Sequence, residues 1–199
     1  MDNTRIDMIY LVTGCLLFIF VILFIFFSYR QKKKLFTYLK EKNFIKMDQL
    51  LNNSINRIFI DKYTKEYVLL NRYRIEQNKQ GVQNQLNTLL QMPLNEVRSN
   101  EIIHIAFNYY LEQKDKGHCL EILEKMDSNR PMYAEAKMIY DIFLDHKANY
   151  IEPLKQQALQ YQNEKQASIY TLIAQQYENI HDLEQAYHYH SLAKQALHR

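Results

Sequence analysis

The 199-residue chain has no tryptophan, only three glycines and three prolines, and two cysteines. So few glycines exclude the glycine-rich loops that hold phosphates, and an all-β fold would need more turn residues. Cys15 lies in a long apolar run and Cys119 in the polar remainder, so we expect no disulfide between them. No Walker loop, Cys-x-x-Cys motif or Ser/His/Asp grouping is present. The composition, rich in Gln, Asn, Lys, Leu and Tyr, predicts an all-α protein. Because no catalytic constellation is present, we predict that it is not an enzyme and holds no cofactor.

The longest apolar run covers residues 8–29, twenty-two positions without a charged side chain. A helix of this length extends about 33 Å, which is enough to cross the hydrocarbon core of a bilayer. The run is too long for the core of a cleaved signal peptide, and no small-residue cleavage site follows it. We therefore predict a retained transmembrane helix over residues 8–29, preceded by a short N-terminal segment, residues 1–7.

Basic residues cluster directly after this run. Residues 30–46 contain seven Lys/Arg, whereas only Arg5 precedes the run. This bias predicts a single-pass bacterial cell-membrane protein with its N-terminus outside and its C-terminal domain in the cytoplasm. The basic side chains nearest the run could also contact anionic lipid head groups, although a topology signal alone would explain them; they are Arg30, Lys32, Lys33 and Lys34. Residues 47–199 have 17 Lys/Arg and 19 Asp/Glu, so we expect no nucleic-acid binding.

Two stretches of the polar part share one pattern of aromatic, apolar and small residues. The later stretch reads Tyr170-x2-Ile173-Ala174-x2-Tyr177, then a turn over residues 179–182, then Ala186-x3-His190-x2-Ala193. The earlier reads Ile103-x2-Ala106-Phe107-x2-Tyr110, then Cys119-x3-Leu123-x2-Met126. Tyr110 and Tyr177 are 67 residues apart, and so are Cys119 and Ala186. The pattern therefore predicts a repeat of about half that length.

These stretches resemble the tetratricopeptide repeat (TPR) family, whose units of about 34 residues read Trp-x2-Leu-Gly-x2-Tyr and then Ala-x3-Phe. Tyr170 stands at the Trp position, Ala174 at the Gly position, and His190 replaces the aromatic residue. The resemblance implies a TPR-like α-solenoid of about four to five helical hairpins. It covers residues 57–199, after a basic juxtamembrane segment and a partial first hairpin over residues 30–56. The alternative is a non-repeating helical bundle with accidental spacing.

Further helices follow from the apolar pattern and the turn residues. We predict helices over residues 35–41, continuous with the apolar run, and over residues 45–51, 63–77, 83–92, 133–144 and 151–161. The pair 63–77 and 83–92 is predicted to turn at Gly81. Pro153 falls in the first turn of its helix, where proline is tolerated.

The resemblance also implies a binding groove. In TPR proteins the first helix of each pair lines a concave surface that holds a partner peptide or helix. The corresponding positions here have mixed polar and aromatic side chains, and they are Tyr67, Arg74, His104, Asn108, Met138, Thr171, Gln175 and Glu178. A solvated face without a ligand is the alternative. The predicted function is a membrane-anchored scaffold or adaptor for a protein partner.

Two other functions remain open at this point. Glu101-x-x-His104 and Glu178-x-x-His181 have the spacing that metal-binding helical bundles use, which would suit a metal-dependent helical enzyme. Such sites need two further inward glutamates, so we predict no metal site. The basic segment could instead make the chain a lipid-surface regulator.

Two further pairs of polar residues are not predicted to form a site. His118 and Cys119 are adjacent, so they point about 100° apart on a helix, and we expect Cys119 to pack in the core rather than act as a nucleophile. Asp141 and Asp145 share one helix face, where we expect both carboxylates to be solvated.

Overall fold

A computed structural model of the protein describes residues 3–198, with side chains from residue 11 onward. The predicted segments 1–7 and 57–199 therefore each extend outside the described residues. Over the described range the chain forms eleven helices and no strand, which confirms the all-α prediction. The helices are α1 Asn3–Lys40, α2 Phe44–Asn52, α3 Ser54–Phe59, α4 Lys62–Ile75, α5 Lys79–Leu90, α6 Glu96–Glu112, α7 Lys116–Glu124, α8 Pro131–Phe143, α9 Ile151–Ala158, α10 Asn163–Asn179 and α11 Leu183–Leu197.

The helices belong to two compact units, Met1–Leu94 and Asn95–Arg199. The first unit holds α1 to α5 and the second holds α6 to α11. The predicted boundary after residue 56 falls inside α3, a short helix that the sequence analysis missed.

Helix α1 contains the apolar run. Its part Leu11–Lys40 is long and apolar enough to cross a membrane, by length and composition. The large apolar side chains of residues 11–27 are 38–69 % exposed, and among them Phe24 and Phe27 contact Phe59 of α3. The helix continues through the basic cluster to Lys40, as predicted, and its polar end packs against α2, α3 and α4 around the fully buried Leu35.

Four of the helix-to-helix turns share one hydrogen-bonding arrangement. A tyrosine near the end of a helix accepts a bond at its carbonyl from the N–H five residues later. The residue before that donor has a positive φ of 55–62°, which is the Schellman ending of a helix. The donor is Asn or Asp, and its side chain caps the next helix by accepting from the N–H three residues on. The four turns comprise Tyr38, Lys42 and Asn43; Tyr73, Gln77 and Asn78; Tyr110, Lys114 and Asp115; Tyr177, His181 and Asp182.

These turns recur along the chain with nearly constant spacing. The positive-φ residues of the four turns, together with His146, follow one another at intervals of 32 to 37 residues. In the sequence these turns read Tyr-x3-(Lys/Gln/His)-(Asn/Asp). None of the positive-φ residues is glycine, so the usual sequence marker of such a helix ending is missing. The turn at His146 is built differently, because there Lys147 donates its N–H to the Asp141 carbonyl, at 2.8 Å.

The predicted turn at Gly81 is wrong, because Gly81 lies in the first turn of α5. Asn78 accepts a hydrogen bond from the Gly81 N–H at 2.9 Å, so the helix begins at Lys79. A Cβ at Gly81 would lie 2.7 Å from the Tyr73 ring. Glycine is therefore present because the ring packs against the helix backbone.

Residues at fixed distances from the turn tyrosines form the core. The residues three before each tyrosine are at most 2 % exposed; they are Leu35, Leu70, Phe107 and Ala174. The residues nine after are at most 3 % exposed; they are Met47, Val82, Cys119 and Ala186. The predicted packing of Cys119 and Ala186 is confirmed. Within the first unit α4 packs on α5, and within the second α8 packs on α6 and α7, while α10 packs on α8, α9 and α11.

Candidate functional site

All eight predicted groove positions lie on α4, α6, α8 or α10, the first helices of their predicted pairs, and none is buried. Tyr67 and Arg74 lie on α4 in the first unit, where the Tyr67 ring stacks on Tyr63 at 5.7 Å between centroids. The other six belong to the second unit. There α8 packs on both α6 and α10, so these six positions lie on three adjoining helices.

The contacts of these side chains in the second unit stay mainly within their own helices. The Asn108 amide lies 3.3 Å from the His104 ring, and the Gln175 amide donates to the Asn179 side chain at 3.3 Å. Thr171 donates to the carbonyl of Ala167. Such contacts leave the outer surfaces of these side chains open to solvent.

Met138 packs against a buried cluster that includes Leu154 of α9 and Ile173 of α10. Glu178 also makes a contact beyond its own helix. Its Oε1 lies 3.0 Å from His190 Nε2 on α11, so this carboxylate is engaged within its own hairpin. His190, on α11, forms an ion pair with this carboxylate when protonated. Its role at this position is therefore to join α10 to α11.

A cleft of about 340 Å³ opens at the C-terminal ends of α6 and α8, beside α10. Its floor is apolar and its edges carry charge; the lining comprises Leu111, Glu112, Lys114, Phe143, Leu144, His146 and Gln175. Gln175 is the one lining residue that the sequence analysis predicted. Two of the others, Lys114 and His146, are positive-φ turn residues. An apolar cleft with a polar rim suits a side chain of a bound peptide.

The Asp141 carboxylate is buried, which corrects the prediction that it is solvated. It is 5 % exposed and accepts bonds from Lys137 Nζ at 2.5 Å, Lys147 Nζ at 2.7 Å and Tyr150 Oη at 2.7 Å. Burial raises the pKa of Asp141, but these three donors outweigh burial and lower the pKa to about 2. The carboxylate is therefore charged at neutral pH.

Helix α10 completes this polar network. The Gln176 side chain accepts from the Tyr150 N–H at 2.8 Å, and the Asn179 amide donates to the carbonyls of Ile142 and Lys147. At the turn between α8 and α9 the Tyr140 carbonyl also accepts from the N–H five residues later, but the positive-φ residue is His146, and no Asn or Asp side chain caps α9.

Lys137, Asp141, Lys147 and Tyr150 are close in sequence, so the clustering of Lys and Asp there is the signal that could have pointed to the network. The bonds to Gln176 and Asn179 join residues 26 to 37 positions apart and have no such signal.

The residues considered for metal binding or nucleophilic chemistry do not form a centre in the part of the chain that the structure describes. No group of three or more His, Cys, Asp and Glu side chains there could hold a metal ion. His118 Nδ1 lies 2.7 Å from Asp115 Oδ2, and its ring stacks on Tyr110 at 4.4 Å. Burial raises the pKa of the Cys119 thiol to about 11. The thiol is therefore protonated at neutral pH.

The basic residues after the apolar run have two different environments. Arg30, Lys33 and Lys34 are exposed, whereas Lys32 forms an ion pair with Asp61 at 2.6 Å. Asp61 also caps α4 by accepting from the Thr64 N–H. Lys32 thus joins α1 to the start of α4, and three of the four predicted lipid-contacting residues remain open.

No protein-family model matches the chain, and neither a curated protein nor a solved structure matches it.

Proposed function

We propose that the chain is a membrane-anchored adaptor whose TPR-like helical repeat domain binds a protein partner at the cytoplasmic face of the membrane. The observation that carries this proposal is the surface of α6, α8 and α10. On these adjoining helices His104 and Thr171 are exposed, and Asn108, Gln175 and Glu178 are half-buried, beside a cleft lined by apolar and charged side chains. Such a lining suits an extended or helical peptide.

The spacing of the turns supports the repeat. Positive-φ residues at intervals of 32 to 37 residues agree with a two-helix unit of about 34 residues. In the second unit, α8 packs on both helices before it, α6 and α7, and α10 packs on α8 and α9. Stacked hairpins bury their apolar stripes in this way, since no single hairpin can bury its own.

The anchor follows from α1 and its flanking charges. Its apolar side chains are exposed over residues 11–27, and basic residues follow at once. In the proposed orientation residues 1–7 are outside and the helical units are in the cytoplasm. Protease added to intact spheroplasts should remove an N-terminal tag and leave the C-terminal units intact. Digestion of the C-terminal units would overturn the orientation.

Site-specific photo-crosslinking of the full chain in cells tests the binding surface. We expect a crosslinking residue at Asn108 or Gln175 to capture one partner reproducibly. Matched probes at Glu124 on α7 and Gln156 on α9, which are exposed on second helices, should not capture it. Equal capture from both pairs of positions, or adducts of the chain with itself only, would overturn the proposed surface.

A further inference from the structure

Helix α3 lies against the apolar part of α1. The Phe59 ring is 5.3 Å from the Phe24 ring and 5.9 Å from the Phe27 ring, between centroids. The Ser28 hydroxyl donates to the Phe59 carbonyl at 2.8 Å. The end of α3 is therefore held beside the last turns of the predicted transmembrane run, and Asp61, two residues later, pairs with Lys32 of the basic segment.

The depth of this contact can be worked out from the helix rise. Phe24 and Phe27 precede Arg30, the first residue of the basic cluster, by six and three positions. At about 1.5 Å per residue, Phe59 lies about 5–9 Å from Arg30 along α1, toward the apolar run. Amphipathic helices in a membrane interface bury their apolar faces to a depth of about 5–10 Å, which is the same range.

The remaining apolar side chains of α3 are uncovered. Ile55 and Ile58 are 66 % and 67 % exposed and are three residues apart, so they share a helix face. Asn53 caps the helix by accepting from the N–H groups of Ile55 and Asn56. A short capped helix that exposes two isoleucines beside an apolar span resembles the helices that lie in a membrane interface.

Basic side chains flank this helix. Arg57, Lys62 and Lys65 line a cleft of about 330 Å³ together with Leu51, Ile60 and Glu66. Between Arg30 and Glu66 the sequence has ten Lys/Arg and four Asp/Glu. Asp61, one of the four, is engaged by Lys32, and this ion pair joins the end of the α3 segment to α1. The charge around α3 therefore complements lipid phosphates.

We propose that α3 is a second membrane contact, inserted beside α1 into the same leaflet. Ile55 and Ile58 lie among the acyl chains, and Arg57, Lys62 and Lys65 meet the phosphates of anionic lipids. The inference rests on the proposed function in one respect, because it requires α1 to span the bilayer. It assigns the lipid contact to residues 53–65 in addition to the basic cluster that follows the span.

The absence of tryptophan from the chain allows a direct test by fluorescence. The full chain is reconstituted in vesicles of phosphatidylcholine and phosphatidylglycerol, with and without acyl chains that carry bromine. Three variants each contain one tryptophan: Ile58→Trp on α3, Ile45→Trp on α2 and Phe20→Trp in the span. All three positions are more than half exposed, so the substitutions should leave the fold intact.

The inference predicts that brominated lipid quenches Ile58→Trp and Phe20→Trp to comparable extents and that both emit at shorter wavelength than Ile45→Trp. Ile45→Trp should be quenched only by aqueous acrylamide. If Phe20→Trp is quenched while Ile58→Trp behaves like Ile45→Trp, the inference fails and the anchor stands. Protection of Ile58→Trp from both quenchers would mean that protein covers α3, which also contradicts it. If Phe20→Trp escapes brominated lipid, the anchor itself is wrong.

Discussion

The Asp141 carboxylate stabilises the turn between α8 and α9 by an amount that follows from its pKa. In the folded chain the pKa is about 2, against 3.8 for the ordinary carboxyl group. The difference corresponds to about 2 kcal/mol of folding free energy. Because the folded-state pKa is the lower one, this stabilisation is complete above about pH 5 and is lost as the pH falls through 3.8 toward 2.

Replacing Asp141 by Asn keeps the shape of the side chain and removes its charge. We expect D141N to lower the free energy of unfolding by about 2 kcal/mol at pH 7. Lys137 and Lys147 are left without their buried counter-ion but stay partly solvated. Urea denaturation of the full chain in detergent, followed by far-UV circular dichroism, measures the change.

The matched control is Glu135→Gln, an exposed carboxylate on the same helix, for which we expect less than about 0.5 kcal/mol. The difference between wild type and D141N should shrink as the pH is lowered from about 5 toward 2. The reasoning would be refuted if D141N and Glu135→Gln changed the free energy of unfolding equally at pH 7. It would also be refuted if the difference between wild type and D141N were the same in acid as at pH 7.

Three further predictions concern the turns, with the same denaturation assay. Tyr110→Phe should raise the free energy of unfolding by about 1 kcal/mol, because this buried hydroxyl has no hydrogen-bond partner among the described residues. Tyr177→Phe, at the equivalent turn position, should bring no such gain, because its ring is only half-buried and lies near Lys155, at 5.6 Å from the ring centroid. Gly81→Ala should destabilise the chain through its clash with the preceding tyrosine ring, whereas Gly117→Ala, with its nearest neighbour at 3.6 Å, should not. Lys114→Gly should stabilise by up to about 1 kcal/mol, because its φ is 55°. The opposite sign in any of the three would contradict the turn geometry.

Helix positions followed largely from local signals in the sequence. The apolar run and the basic residues after it predicted one continuous helix, and the caps Asn43 and Asp182 agree with the predicted turns. The turn at Gly81 was misplaced because glycine was taken as the breaker, whereas a capping Asn and a positive-φ Gln form the turn three residues earlier. Helix α3 was missed because six residues with two bare isoleucines give no helical periodicity.

The candidate site was predictable only in part. The resemblance to TPR proteins assigns the groove positions from their place in the repeat. In the structure these residues lie on α4, α6, α8 and α10, and none of them is buried. His190, which engages Glu178, comes from α11, and Gln176 and Asn179, which complete the network around Asp141, come from α10, so these contacts depend on tertiary packing that no local pattern encodes. The direct partners of Asp141 are local, because Lys137 lies on the same helix and Lys147 and Tyr150 follow it closely. The cleft likewise combines the ends of α6 and α8 with Gln175, and it exists only once these helices pack.

The proposed adaptor role is tested most directly by asking where the partner is when the anchor is disabled. Phe18→Arg with Ile22→Arg places two charges in the span, each costing about 2.5–3.5 kcal/mol on insertion. The partner captured from a probe at Gln175 should sediment with membranes in the wild type and move to the soluble fraction together with the variant chain. If the partner stays with the membranes while the variant chain becomes soluble, the chain does not recruit it, and the central claim is contradicted.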